Sequence, residues 1–320
     1  MQVLKLIKTW ILPLSMVSGV ASYFIVASIS SLVPYRGKIL DVVGVVQPML
    51  IFFMLFLAFC KVELREIKFR KWHLWLLMVQ LSSFSLLAAT ALFIPDNSDW
   101  RVIVESAMLC LICPTATASA VVVKKLGGSA ADVTTYTVLI NLFAAILISF
   151  FVPMLHSQGN VSFTSAFVRI VSRVFPLLLC PFLAALMMRY FIPLLHGWLC
   201  GFFNLSFYLW TIALALAVAT TTRSIMHTEL SWIHQTGIAV VSLVCCVIQF
   251  WAGRKIGRRL GDRITAGQAL GQKNTVLAIW VGYTFFTPIT SIAGGFYSIW
   301  HNLVNSYQLY RHQQEHSNGN

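Results

Sequence analysis

Apolar residues run along this chain in long blocks separated by short polar stretches. A helix crossing the hydrocarbon core of a bilayer needs about 20 mostly apolar residues. By that measure the blocks predict ten spans, at 10–33, 40–60, 73–94, 102–123, 133–155, 172–192, 198–220, 233–253, 264–285 and 288–309. The connections are too short to hold a soluble domain, so residues 1–320 read as one membrane domain. A polar tail from Tyr310 is expected to be disordered. The first block sits behind Lys5 and Lys8, as a signal peptide would. Its apolar stretch is too long for an h-region and no small-residue cleavage site closes it, so it is read as a mature helix.

Two spans contain sequences that a continuous helix avoids. The fourth holds Cys113-Pro114-Thr115-Ala116-Thr117-Ala118-Ser119, in which Pro114 removes a backbone donor and hydroxyl residues follow at once. The ninth holds Gly267-Gln268-Ala269-Leu270-Gly271-Gln272-Lys273-Asn274-Thr275, a polar run with two glycines at membrane depth. The breaks lie about 160 residues apart, half of the chain, each in the fourth helix of a five-helix half. An odd-numbered repeat places its second copy upside down, so the pattern predicts a 5+5 inverted repeat with broken helices 4 and 9. Transporters of that kind bind substrate and ions where the broken helices meet. Half-helix N-termini attract anions there, and unwound carbonyls attract cations.

Composition agrees with a membrane solvent. Apolar residues make up 58% of the 320 and charged residues only 10%, against about 25% charged in soluble proteins. The net charge of +13 could suggest nucleic acid, but the basic residues fall between apolar runs. With the N-terminus inside, sixteen Lys and Arg lie on inner segments and six on outer ones, which puts both termini in the cytoplasm; the expected location is the plasma (cell inner) membrane. The clusters at 61–71 and 254–263 therefore have a topological explanation, with anionic lipid as a partner and no nucleic acid. The seven cysteines show no zinc spacing and read as small buried hydrophobes. No metal or cofactor is expected. The sequon Asn160-Val161-Ser162 falls on the outer side, and the ten Trp read as interface anchors. Oligomeric state is not legible in the sequence.

At the two breaks the chain resembles the bile acid:sodium symporter superfamily. Cys113–Ser119 is similar to that family's Pro-Gly-Gly-Thr-Ala-Ser-Asn crossover motif, and 271–275 to its Glu-Val-Gly-Met-Gln-Asn-Ser motif. Ser298-Ile299-Trp300-His301-Asn302-Leu303 matches a run in the family's last helix. Weaker echoes are Trp10–Leu14, Gln47-Pro48 and Met54–Leu57. The resemblance implies a panel domain of spans 1, 2, 6 and 7 and a core domain of spans 3–5 and 8–10. Substrate would bind between them, near crossed helices 4 and 9, by alternating access. It also implies where sodium would bind. At one site Ser119 and Thr137 are retained, while Ala120, Val133 and Ala269 replace the family's Asn, Ser and Glu. At the other, Gln80 is retained, the same Glu is Ala269, and the helix-9 Gln is Lys273. A hard cation needs about six oxygens and usually negative charge, so sodium coupling of the family's kind is not expected.

One basic residue of the 23 belongs to neither side of the membrane. Lys273 lies within the ninth span, and intramembrane charges are costly and functional by default. In one version its ammonium stands where a sodium ion would, with Gln80, Thr117, Ser119, Thr137, Gln272 and nearby carbonyls as acceptors, leaving positive potential for an anionic substrate. In another it titrates: desolvation disfavours the charged form and a bound anion restores it, coupling transport to protons. Glu105 precedes Pro114 by nine residues, about 13 Å along a helix, and reads either as a gate or structural residue or as a simple outer-end position. Asp132 and Asp41 sit near helix starts, where acids suit the dipole. His301 and Asn302 read as bridges between helices. The substrate and crossover set is thus Pro114, Thr115, Thr117, Ser119, Gly271, Gln272, Lys273 and Asn274, with Gln80, Ser119, Thr137 and Lys273 as a degenerate cation site.

The function expected from these residues is secondary transport of a small or amphipathic organic anion. A receptor that keeps the fold without transporting is the alternative. An intramembrane enzyme is not expected, because no H-E-x-x-H motif and no paired aspartates occur within the spans.

Overall fold

A computed structural model describes residues 2–62, 65, 67–156, 162–202 and 205–317. Among these the secondary structure is helical throughout. The α-helices are α1 (Gln2–Ser28), α2 (Arg36–Cys60), α3 (Lys71–Leu92), α4 (Asp99–Ile112), α5 (Ser119–Lys125), α6 (Ala130–Leu155), α7 (Phe163–Phe191), α8 (Pro193–Gly201), α9 (Leu205–Met226), α10 (Trp232–Arg259), α11 (Arg263–Gly271), α12 (Thr275–Phe285) and α13 (Ile292–Ser317). A 3-10 turn, Ser30–Tyr35, leads into α2. Six of these, α2 with its leading turn, α3, α6, α7, α9 and α10, are long and apolar enough to cross a membrane.

The helix ends follow local chemistry. The Ser129 hydroxyl accepts from the Asp132 amide at the start of α6, and Asp262 accepts from the Thr265 amide at the start of α11. Asp132 also lies in the first turn of α6, where it pairs with Arg70 at 3.2 Å. Proline does not end α7, which carries Pro176 and Pro181 within it. Pro193 instead opens the short α8, so the apolar block expected at 198–220 is divided between α8 and α9.

The distribution of side chains is inverted relative to a water-soluble protein. Leu194 and Phe93 are 90% and 89% exposed, whereas Gln80, Glu105 and Lys273 are each 1% exposed. Trp75, Leu86, Trp198, Ile233 and Trp251 also lie on the outside. Water would not tolerate so much apolar surface, while lipid does. The protein is a helical membrane protein. Its main core joins Ile51, Met54 and Leu55 of α2, Phe84 of α3, Met108 and Leu109 of α4, Ala144 and Ile148 of α6, Val174 of α7, Leu214 of α9 and Leu277 of α12.

Where burial of apolar surface is not the driving force, helices associate by close van der Waals approach through small residues. The contact of α10 with α11 works this way. A Cβ on Gly257 would overlap the Asp262 carbonyl, and one on Gly253 would meet the Ala266 carbonyl. Gly271 at the end of α11 lies against the ring of Phe250.

The polar tail differs from expectation. Instead of ending near Tyr310, α13 continues to Ser317, supported by an Arg311–Glu315 pair at 3.3 Å with i,i+4 spacing. No glycine or proline interrupts residues 310–317, so nothing local stops the helix. The sequon at Asn160-Val161 lies outside the described residues.

Overpacking costs about 1–3 kcal/mol, and more where the obstacle is backbone. Gly257→Val is therefore expected to lower the melting temperature of the detergent-purified protein by several degrees. Gly44→Val, where an added Cβ meets nothing within 4 Å, should leave it nearly unchanged. Equal melting of the two variants would contradict the α10–α11 packing.

Candidate functional site

Two helices stop inside the protein, and they stop against each other. α4 ends at Ile112 and its chain resumes as α5 at Ser119; α11 ends at Gly271 and resumes as α12 at Thr275. The two unwound segments cross as an isolated antiparallel bridge between Thr115 and Lys273. The Ala116 amide donates to the Gln272 carbonyl and the Asn274 amide to the Pro114 carbonyl, each at 2.9 Å. Pro114 needs no acceptor because it has no N–H, which is why proline is tolerated at the crossing.

A helix end leaves its last four carbonyls without intrahelical partners, and inside a protein each needs a donor. At the end of α4 all four are met. The Leu109 carbonyl accepts from the Cys113 amide at 3.3 Å. The Cys110 carbonyl accepts from Gln249 Nε2 of α10 at 3.2 Å, and the Leu111 carbonyl from Lys273 Nζ at 3.4 Å. Gln80 Nε2 of α3 donates to both the Ile112 and Cys113 carbonyls, at 3.2 and 3.1 Å, while its Oε1 accepts from Tyr136 at 2.8 Å. At the end of α11, Thr115 Oγ1 donates to the Ala269 carbonyl at 2.6 Å and Tyr297 donates to the Gly271 carbonyl at 2.8 Å. Gln249 Nε2 also donates to the Tyr297 hydroxyl at 3.0 Å, joining the two ends in one network.

Asn274 closes the site on its other side. Its Oδ1 caps α12 by accepting from the Leu277 amide at 3.2 Å, and its carbonyl accepts from the Cys113 thiol at 2.9 Å. Gln272 is buried, and its Oε1 has no partner among the described residues.

Lys273 is the buried cation of this site. Its ammonium lies at the C-terminal end of α4, where the helix dipole is negative. Four thiols, Cys113, Cys110, Cys245 and Cys246, lie within electrostatic reach of it. No carboxylate pairs with it among the described residues. Its neighbours are therefore carbonyl dipoles and thiols rather than counter-ions.

The expected residues divide clearly. Gln80, Pro114, Thr115, Gly271, Gln272, Lys273 and Asn274 converge on the crossing. Ser119 and Thr137 are buried nearby, but their hydroxyls bond the Ala116 and Val133 carbonyls of their own segments, at 2.7 and 2.9 Å. The acceptor that Lys273 uses is Leu111 instead of a side-chain oxygen. Thr117 is partly exposed on the turn before α5. Asn302 Nδ2 donates to the Ser298 carbonyl of its own helix at 2.7 Å. His301 is buried with its ring edge-on to Tyr297.

Glu105 does not reach Lys273. It pairs with Arg101 Nε at 3.1 Å and lies 3.2 Å from His156 Nε2. Arg101 also binds Asp96 and the Leu155 carbonyl, and donates to the Ile94 carbonyl at 3.1 Å. The i,i+4 spacing of Arg101 and Glu105 carries that pair in the sequence; His156 comes from the far end of α6. Tyr136, Gln249 and Tyr297 were also missed. Each is a polar residue within an apolar span, a signal too common to single one out.

No protein-family model and no curated protein matches this chain.

Removing a partner from a buried carbonyl within a membrane protein costs about 1–2 kcal/mol. Gln80→Leu strands the Ile112 and Cys113 carbonyls together with the Tyr136 hydroxyl, so it should destabilise the protein more than Tyr136→Phe does. Combined, the two changes should cost less than the sum of their separate effects. Thermal unfolding of the three variants in one detergent checks this, and additive losses would contradict the shared network.

Proposed function

We propose that this protein is a multipass secondary transporter of an organic anion, small or amphipathic, that works by alternating access. One observation carries the reading: two interrupted helices cross at residues 114–116 and 272–274, and a buried lysine stands at the crossing. Broken helices that meet inside a membrane protein are the usual setting of transporter sites, and an unpaired intramembrane cation is functional by default. In this reading α4 with α5, and α11 with α12, each make one span. The spans then number ten, arranged as a 5+5 inverted repeat, with panel and core domains as in the bile acid:sodium symporter superfamily. The count of basic residues supports cytoplasmic termini, and the expected location is a plasma membrane.

The charge balance supports transport without sodium. The ends of α4 and α11 bring two sets of carbonyls toward one point, an arrangement that calls for a cation. Lys273 Nζ already donates to the Leu111 carbonyl there, and Ala269 stands where the family has its carboxylate. A tethered ammonium performs the work of a bound sodium ion and leaves positive potential for the anion. In the same reading, proton exchange at Lys273 would give the cycle a coupling ion.

Uptake of labelled organic anions into proteoliposomes, from short carboxylates to the bile acid cholate, tests this. Uptake of at least one anion should persist when potassium replaces sodium, and Lys273→Ala should reduce it by about tenfold or more. Steep sodium dependence would overturn the tethered-cation reading, and normal transport by Lys273→Ala would remove the lysine from the mechanism. Saturable binding with no flux of any anion would make the protein a receptor.

A further inference from the structure

A second charged site lies away from the crossing. A cavity of about 500 Å³ opens between the starts of α4 and α7 and the ends of α6 and α12. Its volume falls in the usual range for small-molecule sites, about 300–1,000 Å³. Its inner wall is the buried Glu105 with Arg101 and His156, described above. Arg101 is fully engaged, with Glu105, Asp96 and two backbone carbonyls around it.

Arg169 and Arg173 also line the cavity, one turn apart on the same face of α7. Neither has an ion-pair partner among the described residues. Residues 157–161, next to them in the chain, contain no acid. The cavity therefore holds three guanidiniums against the two carboxylates of Asp96 and Glu105. Arg173 is the eleventh residue of a helix 29 residues long, about 15 Å from its start. Both arginines are exposed, so their guanidiniums are open to solvent beside the cavity. Val152, Ile170 and Phe286 supply apolar lining to the same cavity.

We infer that this cavity is a binding site for an amphipathic organic anion: the two guanidiniums of Arg169 and Arg173 take its carboxylate, and the apolar lining residues take its body. Planar guanidiniums suit carboxylates because they offer parallel donors. The site is distinct from the crossing, because α12 separates them by its eleven residues, about 16 Å. It rests on the transport reading above for its role, as the place where an anion is gathered before it moves to Lys273. The end of the bundle is the one that the distribution of basic residues puts outside.

Equilibrium binding of radiolabelled cholate to the full chain in phosphatidylcholine nanodiscs tests the site directly. Wild type should bind saturably, and the Arg169→Gln/Arg173→Gln double variant should bind about tenfold or more weakly. The Arg169→Lys/Arg173→Lys variant should keep part of the affinity and so report that the fold is intact. Unlabelled cholate methyl ester, which has the same body without the charge, should compete about tenfold less well than cholate. Wild-type affinity in the Arg-to-Gln variant, equal competition by the ester, or no saturable binding by wild type would each overturn the proposal. Proteoliposome uptake separates the two readings. Arginine-dependent binding without flux leaves this site standing and removes transport; undiminished flux in the Arg-to-Gln variant does the reverse.

Discussion

Everything at the centre of this protein depends on how two helix ends are satisfied within a membrane protein. Breaking a helix in water is cheap, because solvent takes over the freed carbonyls. Breaking one inside a membrane protein leaves those carbonyls to be met by the protein itself. Here Gln80, Gln249, Lys273, Thr115 and Tyr297 each bring a donor to a carbonyl at the end of α4 or α11. The donors come from α3, α10, α13 and the two breaks themselves, so the crossing is held by side chains on several helices at once.

That arrangement explains the chemistry of the surroundings. Polar side chains with long reach, two glutamines and two tyrosines, occupy positions in spans that are otherwise apolar. The close α10–α11 approach through Gly253, Gly257 and Gly271 places Phe250 and Gln249 beside the second break. A bulkier interface would move Gln249 away from both the Cys110 carbonyl and Tyr297. The small residues of that interface and the polar network at the crossing are in this sense one structure.

The charges fall into two groups with different physics. Lys273 donates to the Leu111 carbonyl, lies within electrostatic reach of four thiols and has no acid beside it among the described residues. Glu105 pairs with Arg101 and lies beside His156 at the end of the bundle, and two further arginines line the cavity it borders. The nine-residue offset from Glu105 to Pro114 keeps the groups apart, since a helix carries its residues along its axis at a fixed rise. An anion passing from one group to the other would meet positive charge at both ends of its path.

Much of this was legible in the sequence, for physical reasons that are easy to state. Apolar runs of about twenty residues mean membrane helices, because backbone hydrogen bonds must close within the segment. Pro114 and the run Gly271–Asn274 mark the breaks, because they remove donors or add polar atoms where a helix in lipid would have neither. The depth of Lys273 follows from its place in that run. The partners did not follow. That Lys273 reaches Leu111, that Gln80 spans two carbonyls, and that Glu105 turns to His156 instead of toward the lysine are contacts between residues far apart in the chain. Ser119 and Thr137 show the same limit, since a hydroxyl can always bond its own helix. The continuation of α13 through its polar tail is a local effect, the i,i+4 pairing of Arg311 with Glu315. Periodicity and composition are properties of neighbouring residues, and the sequence determines them alone. Which buried donor meets which buried acceptor depends on how helices pack, and only the tertiary structure decides it.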